Sequence, residues 1–213
     1  MKVKVCGIAD EDSARELQES RVTYLGLIFV PTSPRAVTCE KARALAELAP
    51  SKKWIGVFVE ESIDVVLNRV AQVGLSGVQL HGNESEGYVA ELREKLPRNV
   101  DVWKVFPVAT RDDLTRAMEF DRTHVSGLLF DTKAPNGLSG GTGQQFDWNL
   151  LEGIPTDVPI ILSGGIGSGD VLRVKTVVQR YPQMVAIDIN SKFEKSPGVK
   201  NVQLVREFIE ELE

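Results

Sequence analysis

Eight short apolar segments alternate with amphipathic stretches along this chain, and this alternation limits the folds open to it. The apolar segments are rich in Val, Ile, Leu and Phe and lack a regular polar alternation, which is typical of strands buried on both faces. Eight strands, each followed by a connection of helix length, predict an α/β fold, a single (β/α)8 TIM barrel over residues 1–213. A doubly wound open sheet is the alternative, but eight regular repeats in this length suit a closed barrel better. The predicted strands are 3–6, 24–29, 54–59, 77–81, 102–106, 127–131, 159–162 and 184–189.

The stretches between the strands have the periodicity of amphipathic helices. The sixth connection differs, because residues 132–147 form a long Gly-rich loop and leave only 148–152 for a helix. We interpret this loop as a mobile lid, with a merely disordered loop as the alternative. Side chains that can cap a helix mark four starts: Asp10 or Asp12, Thr38, Asn83 and Thr110. The predicted helices are 11–20, 39–48, 62–72, 84–95, 111–120, 170–180 and 202–212.

Composition excludes several classes of protein. The chain has 25 basic and 30 acidic residues, and this net charge of −5 argues against nucleic-acid binding by bulk electrostatics. No apolar run approaches the ~20 residues of a membrane span, so we expect no membrane partner. Two cysteines, Cys6 and Cys39, are too few for a disulfide framework and fit a reducing cytoplasm. The strand pattern begins at once and predicts no signal peptide; the choice between monomer and homodimer stays open.

The carboxyl ends of barrel strands carry the chemistry of such folds, so polar residues there are candidate site residues. Cys6 ends the first strand, where its thiol would act as a base or nucleophile; the alternative is a small buried hydrophobe. Lys4 lies two residues earlier and therefore on the same strand face. We hypothesise that its ammonium favours the Cys6 thiolate and lowers the pKa of the thiol. The alternative for Lys4 is a structural ion pair with an interior carboxylate.

Further candidates follow the second, fourth and sixth strands. Arg35 lies on a loop stiffened by two prolines, where a guanidinium suits a carboxylate or phosphate; a surface arginine is the alternative. His81 is a candidate acid, base or substrate donor, or else a member of an interior polar network with Gln79. Asp131 follows three apolar residues, and a carboxylate there is costly unless it has a partner or a function.

The loops after strands seven and eight predict a phosphate site. They occupy the usual position of a phosphate in TIM barrels, and their glycines expose backbone N–H groups. The candidate phosphate-binding residues are Gly164, Gly165, Asn190 and Ser191, with Asp188 as a further candidate for substrate binding. No set of His, Asp and Glu has metal-ligand spacing and no dinucleotide fingerprint occurs, so we expect no metal or cofactor.

Several motifs occur in order along nearly the whole chain. They are KVCGI at 4–8, a loop at 29–35 that ends in SPR, VQLHG at 78–82, FDT at 130–132, GGTG and FDW within 140–148, LSGG at 162–165, and a segment at 188–200 that ends in SPGVK. No single motif is decisive, but eight such features in the right order at the right strand ends make chance agreement very improbable. Together they resemble the phosphoribosylanthranilate isomerase family of tryptophan biosynthesis.

This resemblance implies an Amadori rearrangement of a small-molecule substrate. N-(5-phosphoribosyl)anthranilate would become 1-(2-carboxyphenylamino)-1-deoxyribulose 5-phosphate, with no cofactor or metal. The resemblance makes Cys6 the general base and Asp131 the general acid, while Arg35 holds the anthranilate carboxylate and the glycine-containing loops hold the phosphate. The chain departs from the family at Lys192, where a glycine is usual. Either the backbone there needs no positive φ, or the lysine adds a charge to the phosphate site.

Two other functions stay open at this point. Another phosphosugar-processing TIM-barrel enzyme is the first: an epimerase would need metal ligands, and an aldolase would need a lysine such as Lys104 on the fifth strand. A degenerate barrel that only binds or assembles is the second. The presence of both Cys6 and Asp131 favours an enzyme.

Overall fold

Eight parallel strands close into a barrel in sequence order, which confirms the predicted (β/α)8 fold. The computed structural model describes residues 1–133, 145–154 and 157–213. The strands are β1 (Lys2–Val5), β2 (Tyr24–Ile28), β3 (Lys53–Phe58), β4 (Gly77–Leu80), β5 (Asp101–Val108), β6 (Gly127–Thr132), β7 (Ile160–Leu162) and β8 (Met184–Ile189). β1 pairs with β8, with Lys4 opposite Asp188, and this seam closes the barrel.

The first four strands end one residue before their apolar patterns predict. Cys6, Phe29, Val59 and His81 lie just beyond β1, β2, β3 and β4. Cys6, Phe29 and His81 each still donate one backbone hydrogen bond to the neighbouring strand, at 2.8–3.0 Å, and the chain then turns away. These residues therefore lie at the mouth of the barrel rather than inside its ladder.

Seven α-helices among the described residues surround the barrel, and three of the predicted caps are correct. The side chains of Asp10, Thr38 and Thr110 accept hydrogen bonds from the first turns of α1, α2 and α5. The prediction for Asn83 is wrong, because Ser85 caps α4 and accepts a hydrogen bond from the Tyr88 N–H at 3.2 Å. The helices are α1 (Glu11–Gln18), α2 (Cys39–Leu48), α3 (Ile63–Val73), α4 (Glu86–Lys95), α5 (Arg111–Glu119), α6 (Val171–Arg180) and α7 (Val202–Leu212).

The connection from β6 to β7 is irregular, as its composition predicts. The part of this connection that the structure describes contains the 3-10 helix Trp148–Leu151 and no α-helix. Asp147 caps this turn by accepting a hydrogen bond from the Asn149 N–H at 3.0 Å. The greater part of the Gly-rich loop, residues 134–144, lies outside the described residues, and the lid interpretation falls on that part.

The barrel interior is apolar at its lower end and polar at its mouth. Tyr24 of β2 and Trp103 of β5 meet edge to face inside the barrel with ring centroids 5.0 Å apart. Buried polar side chains stand above this layer, and these are the residues that the site needs. The apolar interior layer consists of Tyr24, Ile55, Trp103, Val105, Leu129, Ile161 and Ala186.

A short hairpin follows β8 and packs on the loop after β1. Its strands are β9 (Glu194–Ser196) and β10 (Val199–Lys200). Gly198, with φ 87°, turns the hairpin, and a Cβ there would lie 2.7 Å from Ala9 Cβ. The Ala9 N–H donates to the Gly198 carbonyl at 3.0 Å, so the hairpin is fixed against the β1 loop. Within the described part of the chain, no helix is long and apolar enough to span a bilayer.

Candidate active site

One cavity of about 550 Å³ opens at the carboxyl ends of the strands. Its wall combines polar side chains and glycine backbone from the strand ends with an apolar side formed by Ile28, Val30, Val57 and Val59. All nine residues that the sequence predicts as catalytic or substrate-binding line this cavity. They are Cys6, Arg35, His81, Asp131, Gly164, Gly165, Asp188, Asn190 and Ser191.

Cys6 lies beside the β1–β8 seam and shares its surroundings with a buried ion pair. Lys4 Nζ is 2.7 Å from Asp188 Oδ2, and the Lys4 side chain is fully buried. The second Asp188 oxygen, Oδ1, is buried with no hydrogen-bond partner in the described structure. The alternative reading of Lys4, an ion pair with an interior carboxylate, is thus correct. Both side chains come from adjacent strands at matched register, so the barrel places them together.

Lys4 lowers the pKa of the Cys6 thiol, as hypothesised, but a larger opposing effect leaves that pKa above its ordinary value. Burial raises the pKa of the Cys6 thiol, because the thiolate loses its hydration; Lys4 opposes this effect, and the carboxylate of Asp188 adds to it. Burial likewise raises the pKa of Asp188 even though Lys4 opposes the rise. The spacing along β1 predicts that Lys4 lies near Cys6. The burial of the thiol, which the sequence does not show, has a larger effect on its pKa than the Lys4 charge has.

Asp131 and His81 face each other across the mouth. His81 Nε2 is 3.4 Å from Asp131 Oδ2, which is too long for a good hydrogen bond. The Gln79 side-chain nitrogen is 2.9 Å from His81 Nδ1; since an amide nitrogen only donates, Nδ1 accepts and the neutral ring carries its proton on Nε2. The other carboxylate oxygen, Asp131 Oδ1, accepts the Thr132 N–H at 2.8 Å. His81 therefore belongs to an interior network with Gln79 and also lines the cavity.

Arg35 reaches the cavity but is held from behind by a residue that sequence reasoning did not single out. Glu194 accepts from Arg35 Nε at 2.9 Å and from Nη2 at 2.7 Å. Lys200, whose side chain is fully buried, donates to Glu194 Oε1 and to Asn190 Oδ1, each at 2.7 Å. The contacts of the Lys200 ammonium with Glu194 and Asn190 lie within the motif segment 188–200, but Arg35 is 159 residues from Glu194, and no local pattern predicts that contact.

The glycines after β7 are required by their backbone. Gly164 has φ 93° and Gly165 has φ 65°, a conformation that side chains other than glycine rarely adopt. A Cβ at Gly164 would lie 2.2 Å from Thr132 Oγ1 and 2.6 Å from its backbone nitrogen. The loop that is proposed to hold phosphate therefore packs directly on the residue after Asp131.

Lys192, at a position where the family usually has glycine, has an ordinary backbone conformation. Among the described residues other than glycine, the positive φ belongs to Glu60 at 49°, so Lys192 does not need a glycine conformation. Lys192 lies in the 3-10 turn Ser191–Phe193 and is exposed. A Cβ added at Gly167 would lie 3.6 Å from Lys192 Cβ, so the base of the lysine side chain lies beside the loop after β7.

Lys104, the best lysine for an aldolase, is engaged elsewhere. Its Nζ donates to the Gly82 carbonyl at 2.7 Å and to Glu84 Oε2 at 3.1 Å. Glu84 in turn accepts the Gly82 N–H at 3.1 Å and the Glu60 N–H at 2.9 Å. Burial lowers the pKa of Lys104, but its side chain does not line the cavity and instead fixes the loops after β3 and β4.

Comparison with known proteins gives consistent matches over the whole length. The family model for N-(5'-phosphoribosyl)anthranilate isomerase matches residues 3–211. The tryptophan biosynthesis protein TrpCF of Salmonella typhi is 40% identical over 202 residues, which are 95% of this chain but only 41% of that protein. An N-(5'-phosphoribosyl)anthranilate isomerase of Parabacteroides distasonis is 33% identical, covering 100% of this chain and 93% of its own. A solved phosphoribosyl anthranilate isomerase in complex with reduced 1-(o-carboxyphenylamino)-1-deoxyribulose 5-phosphate matches with a TM-score of 0.78 and 30% identity, covering 100% of this chain and 98% of that one.

Proposed function

The chain belongs to the N-(5'-phosphoribosyl)anthranilate isomerase family of tryptophan biosynthesis, and we propose that Cys6 and Asp131 perform its acid–base chemistry. The substrate is N-(5-phosphoribosyl)anthranilate, and the reaction is its Amadori rearrangement. One observation carries the proposal: a single cavity is lined by a thiol, a carboxylate, an arginine and two positive-φ glycines. The protein acts as one catalytic barrel over residues 1–213 in the cytoplasm.

The substrate is anionic at both ends, and the cavity offers a different partner to each. The phosphate binds at the backbone N–H groups around Gly164 and Gly165 and at the loop Asn190–Ser191. The anthranilate carboxylate binds Arg35, and the aromatic ring lies on the apolar side of the wall, which includes Ile28. The ribose then spans the middle of the mouth. A net charge of −5 does not oppose this binding, because the cationic and N–H groups are local.

Ring opening is the first chemical step. Asp131 in its protonated form donates its proton to the ribose ring oxygen, the C1–O bond breaks, and the nitrogen lone pair completes a C=N double bond. The product is a cationic iminium with a free hydroxyl at C4. Opposite Asp131, His81 Nε2 faces Oδ2 of the carboxylate that remains, at 3.4 Å.

Proton removal at C2 is the second step. The iminium acidifies the neighbouring C–H, and the Cys6 thiolate takes this proton to give an enolamine, which tautomerises to the ketone. Burial raises the pKa of the Cys6 thiol, so the thiolate needs nearby positive charge. Lys4 supplies one such charge and the iminium supplies another at the moment of transfer. Each positioned proton transfer contributes typically ~10²–10⁴ in rate.

The test follows the loss of fluorescence of freshly made N-(5-phosphoribosyl)anthranilate. Cys6→Ser and Asp131→Asn should each lower kcat about 10²–10⁴-fold. Cys39→Ser, the second buried thiol, and Asp112→Asn, an exposed carboxylate, are matched controls that should keep wild-type rates. Full activity in either active-site variant would refute its role, and an inactive wild-type protein would refute the function.

A further inference from the structure

Arg35 presents only part of its guanidinium to the cavity, because Glu194 occupies one edge. An arginine side chain has five N–H donors, and two of them, on Nε and Nη2, point to the Glu194 carboxylate. Both donors on Nη1 and the second donor on Nη2 remain. These form the other edge of the planar group, which is the shape that binds a second carboxylate bidentately.

Glu194 is itself fixed on every side. Its Oε1 accepts from Lys200 Nζ at 2.7 Å and from the Gly198 N–H at 3.0 Å. The Glu194 and Lys200 side chains are 5% and 0% exposed, against 13% for Arg35. Burial alone would raise the pKa of Glu194, but hydrogen bonds from Arg35 and Lys200 lower it, so the side chain stays a carboxylate. These hydrogen bonds hold the buried Glu194 carboxylate in one position.

The β9–β10 hairpin holds Glu194 and Lys200 close to the chain that follows β1. The backbone N–H of Lys200 donates to Ser13 Oγ at 2.9 Å, and its ammonium also holds Asn190 Oδ1. A Cβ at Gly7 would lie 2.8 Å from Arg35 Cδ and 3.0 Å from Asn190 Oδ1. The arginine stem and the Asn190 side chain are therefore packed against the residue that follows Cys6.

We propose that Glu194, held by Lys200, is a positioning residue that aims the free edge of Arg35 and thereby makes the site selective for a substrate with a carboxylate on its aromatic ring. This inference rests on the proposed function, because it assumes that Arg35 binds the substrate carboxylate. Glu194 does not touch the substrate. Replacing Glu194 leaves the charge of Arg35 in the cavity but frees the side chain to rotate. The loss of affinity is therefore confined to ligands that carry a carboxylate on the aromatic ring.

The test compares two stable ligands by titration calorimetry. One is reduced 1-(o-carboxyphenylamino)-1-deoxyribulose 5-phosphate, and the other is the same molecule without the carboxylate. Glu194→Gln should weaken the first ligand about tenfold and leave the second within about twofold. In turnover assays, KM should rise more than kcat falls. Glu91→Gln, which removes an exposed carboxylate paired with Lys95, is the matched control and should change neither ligand.

An Arg35→Met background separates positioning from a general structural effect. If Glu194 acts through Arg35, then Glu194→Gln should cause no further loss of either ligand in that background. Should Glu194→Gln fail to fold because Lys200 loses its partner, Glu194→Asp keeps a carboxylate for Lys200 but shortens its reach to Arg35, and the same selective loss is expected from it. Equal weakening of both ligands, no weakening, or a loss that persists beside Arg35→Met overturns the proposal.

Failure of the proposed function gives a different pattern. If the wild-type protein neither turns over the substrate nor binds either ligand, the function and the inference both fall. If Arg35→Met binds the two ligands as the wild type does, the role of Arg35 falls and the inference with it. A selective loss in Arg35→Met together with an unchanged Glu194→Gln overturns the inference alone.

Discussion

Replacement of Lys4 by Met tests the charge balance at the β1–β8 seam. The substitution keeps much of the volume of the side chain and removes the cation that is paired with Asp188. Lys2, on the same strand but exposed, provides the control Lys2→Met. Two effects are expected, one on stability and one on the Cys6 thiol, and both follow from the loss of a single positive charge.

The stability effect depends on pH. Breaking a buried ion pair by removing one partner costs about 3–5 kcal/mol. Without Lys4, the pKa of Asp188 rises further above its ordinary value, so the carboxyl is neutral in the folded state at acid pH and the cost there is small. Above about pH 4 the unfolded chain releases this proton, and each pH unit then costs about 1.4 kcal/mol until the folded carboxyl ionises as well. The wild type bears the same cost only until its own Asp188 ionises, and Lys4 moves that ionisation to lower pH, so the deficit of Lys4→Met against wild type should be larger at pH 8 than at pH 5.

Urea unfolding at pH 5 and pH 8 measures this deficit. The double variant Lys4→Met/Asp188→Asn removes both charges and should recover most of the stability lost at pH 8. Lys2→Met should stay within about 0.5 kcal/mol of wild type at both pH values. A deficit that is the same at both pH values, or a double variant no better than the single one, would refute the reasoning about the seam.

The thiol effect can be bounded from the packing around Gly26. A Cβ there would lie 2.8 Å from Cys6 Sγ and 3.2 Å from Lys4 Cε, so these atoms lie within about 6 Å of each other. Unit charges about 6 Å apart attract by about 3 kcal/mol at an effective dielectric constant of about 20. The pH dependence of Cys6 alkylation by iodoacetamide, in a Cys39→Ser background, should therefore shift to higher pH in Lys4→Met. An unchanged profile would show that Lys4 does not act on the thiol.

Two further predictions concern the loops that form the mouth. Gly164→Ala should cost about 2–4 kcal/mol in urea unfolding and weaken competitive inhibition by inorganic phosphate, because its Cβ would meet Thr132 at a positive φ. Gly153→Ala, at φ 74° with nothing within 4 Å, is the control for backbone strain alone and should cost about 1 kcal/mol; equal losses would contradict the packing argument. Glu84→Gln should cost about 3–5 kcal/mol, because it leaves the buried Lys104 ammonium without its carboxylate, and Lys104→Met in the same chain should restore stability. A thermal unfolding series on the three variants checks this, and additive losses would rule the pairing out.

The barrel and the location of the site could be predicted from the sequence because both depend on local order. Apolar segments repeat at strand length, and polar residues such as Asp131 follow them directly, so the carboxyl ends of the strands gather the site residues whatever the detailed packing. The caps Thr38 and Thr110 are local in the same sense. The prediction of Asn83 as a cap was wrong because the neighbouring Glu84 turns inward to meet Lys104, a contact across 20 residues, and the cap of α4 is Ser85 instead.

The sequence does not predict contacts between residues far apart in the chain or the balance between opposing effects on a pKa. The carboxylate behind Arg35 lies 159 residues away, and nothing near either residue marks the pair. The direction of the Cys6 pKa shift is a difference between two large opposing effects, burial and the Lys4 charge. The position of Cys6 at a strand end predicts both effects. How deeply the thiol is buried and how far it lies from Lys4 decide which effect is larger.

The pairing of β1 with β8 also determines when the protein becomes active during its synthesis. Lys4 and Asp188 are 184 residues apart, so at ordinary translation rates of about 5–20 residues per second the second strand of the seam leaves the ribosome roughly 10–40 s after the first. Throughout that interval β1 has an unpaired edge, Lys4 has no counter-charge and Cys6 has none of its partners from the loop after β8. Catalysis therefore cannot increase gradually as the chain lengthens. It begins in one step when the last strand closes the barrel, and anything that delays closure leaves the chain inactive and its first strand open to other edges.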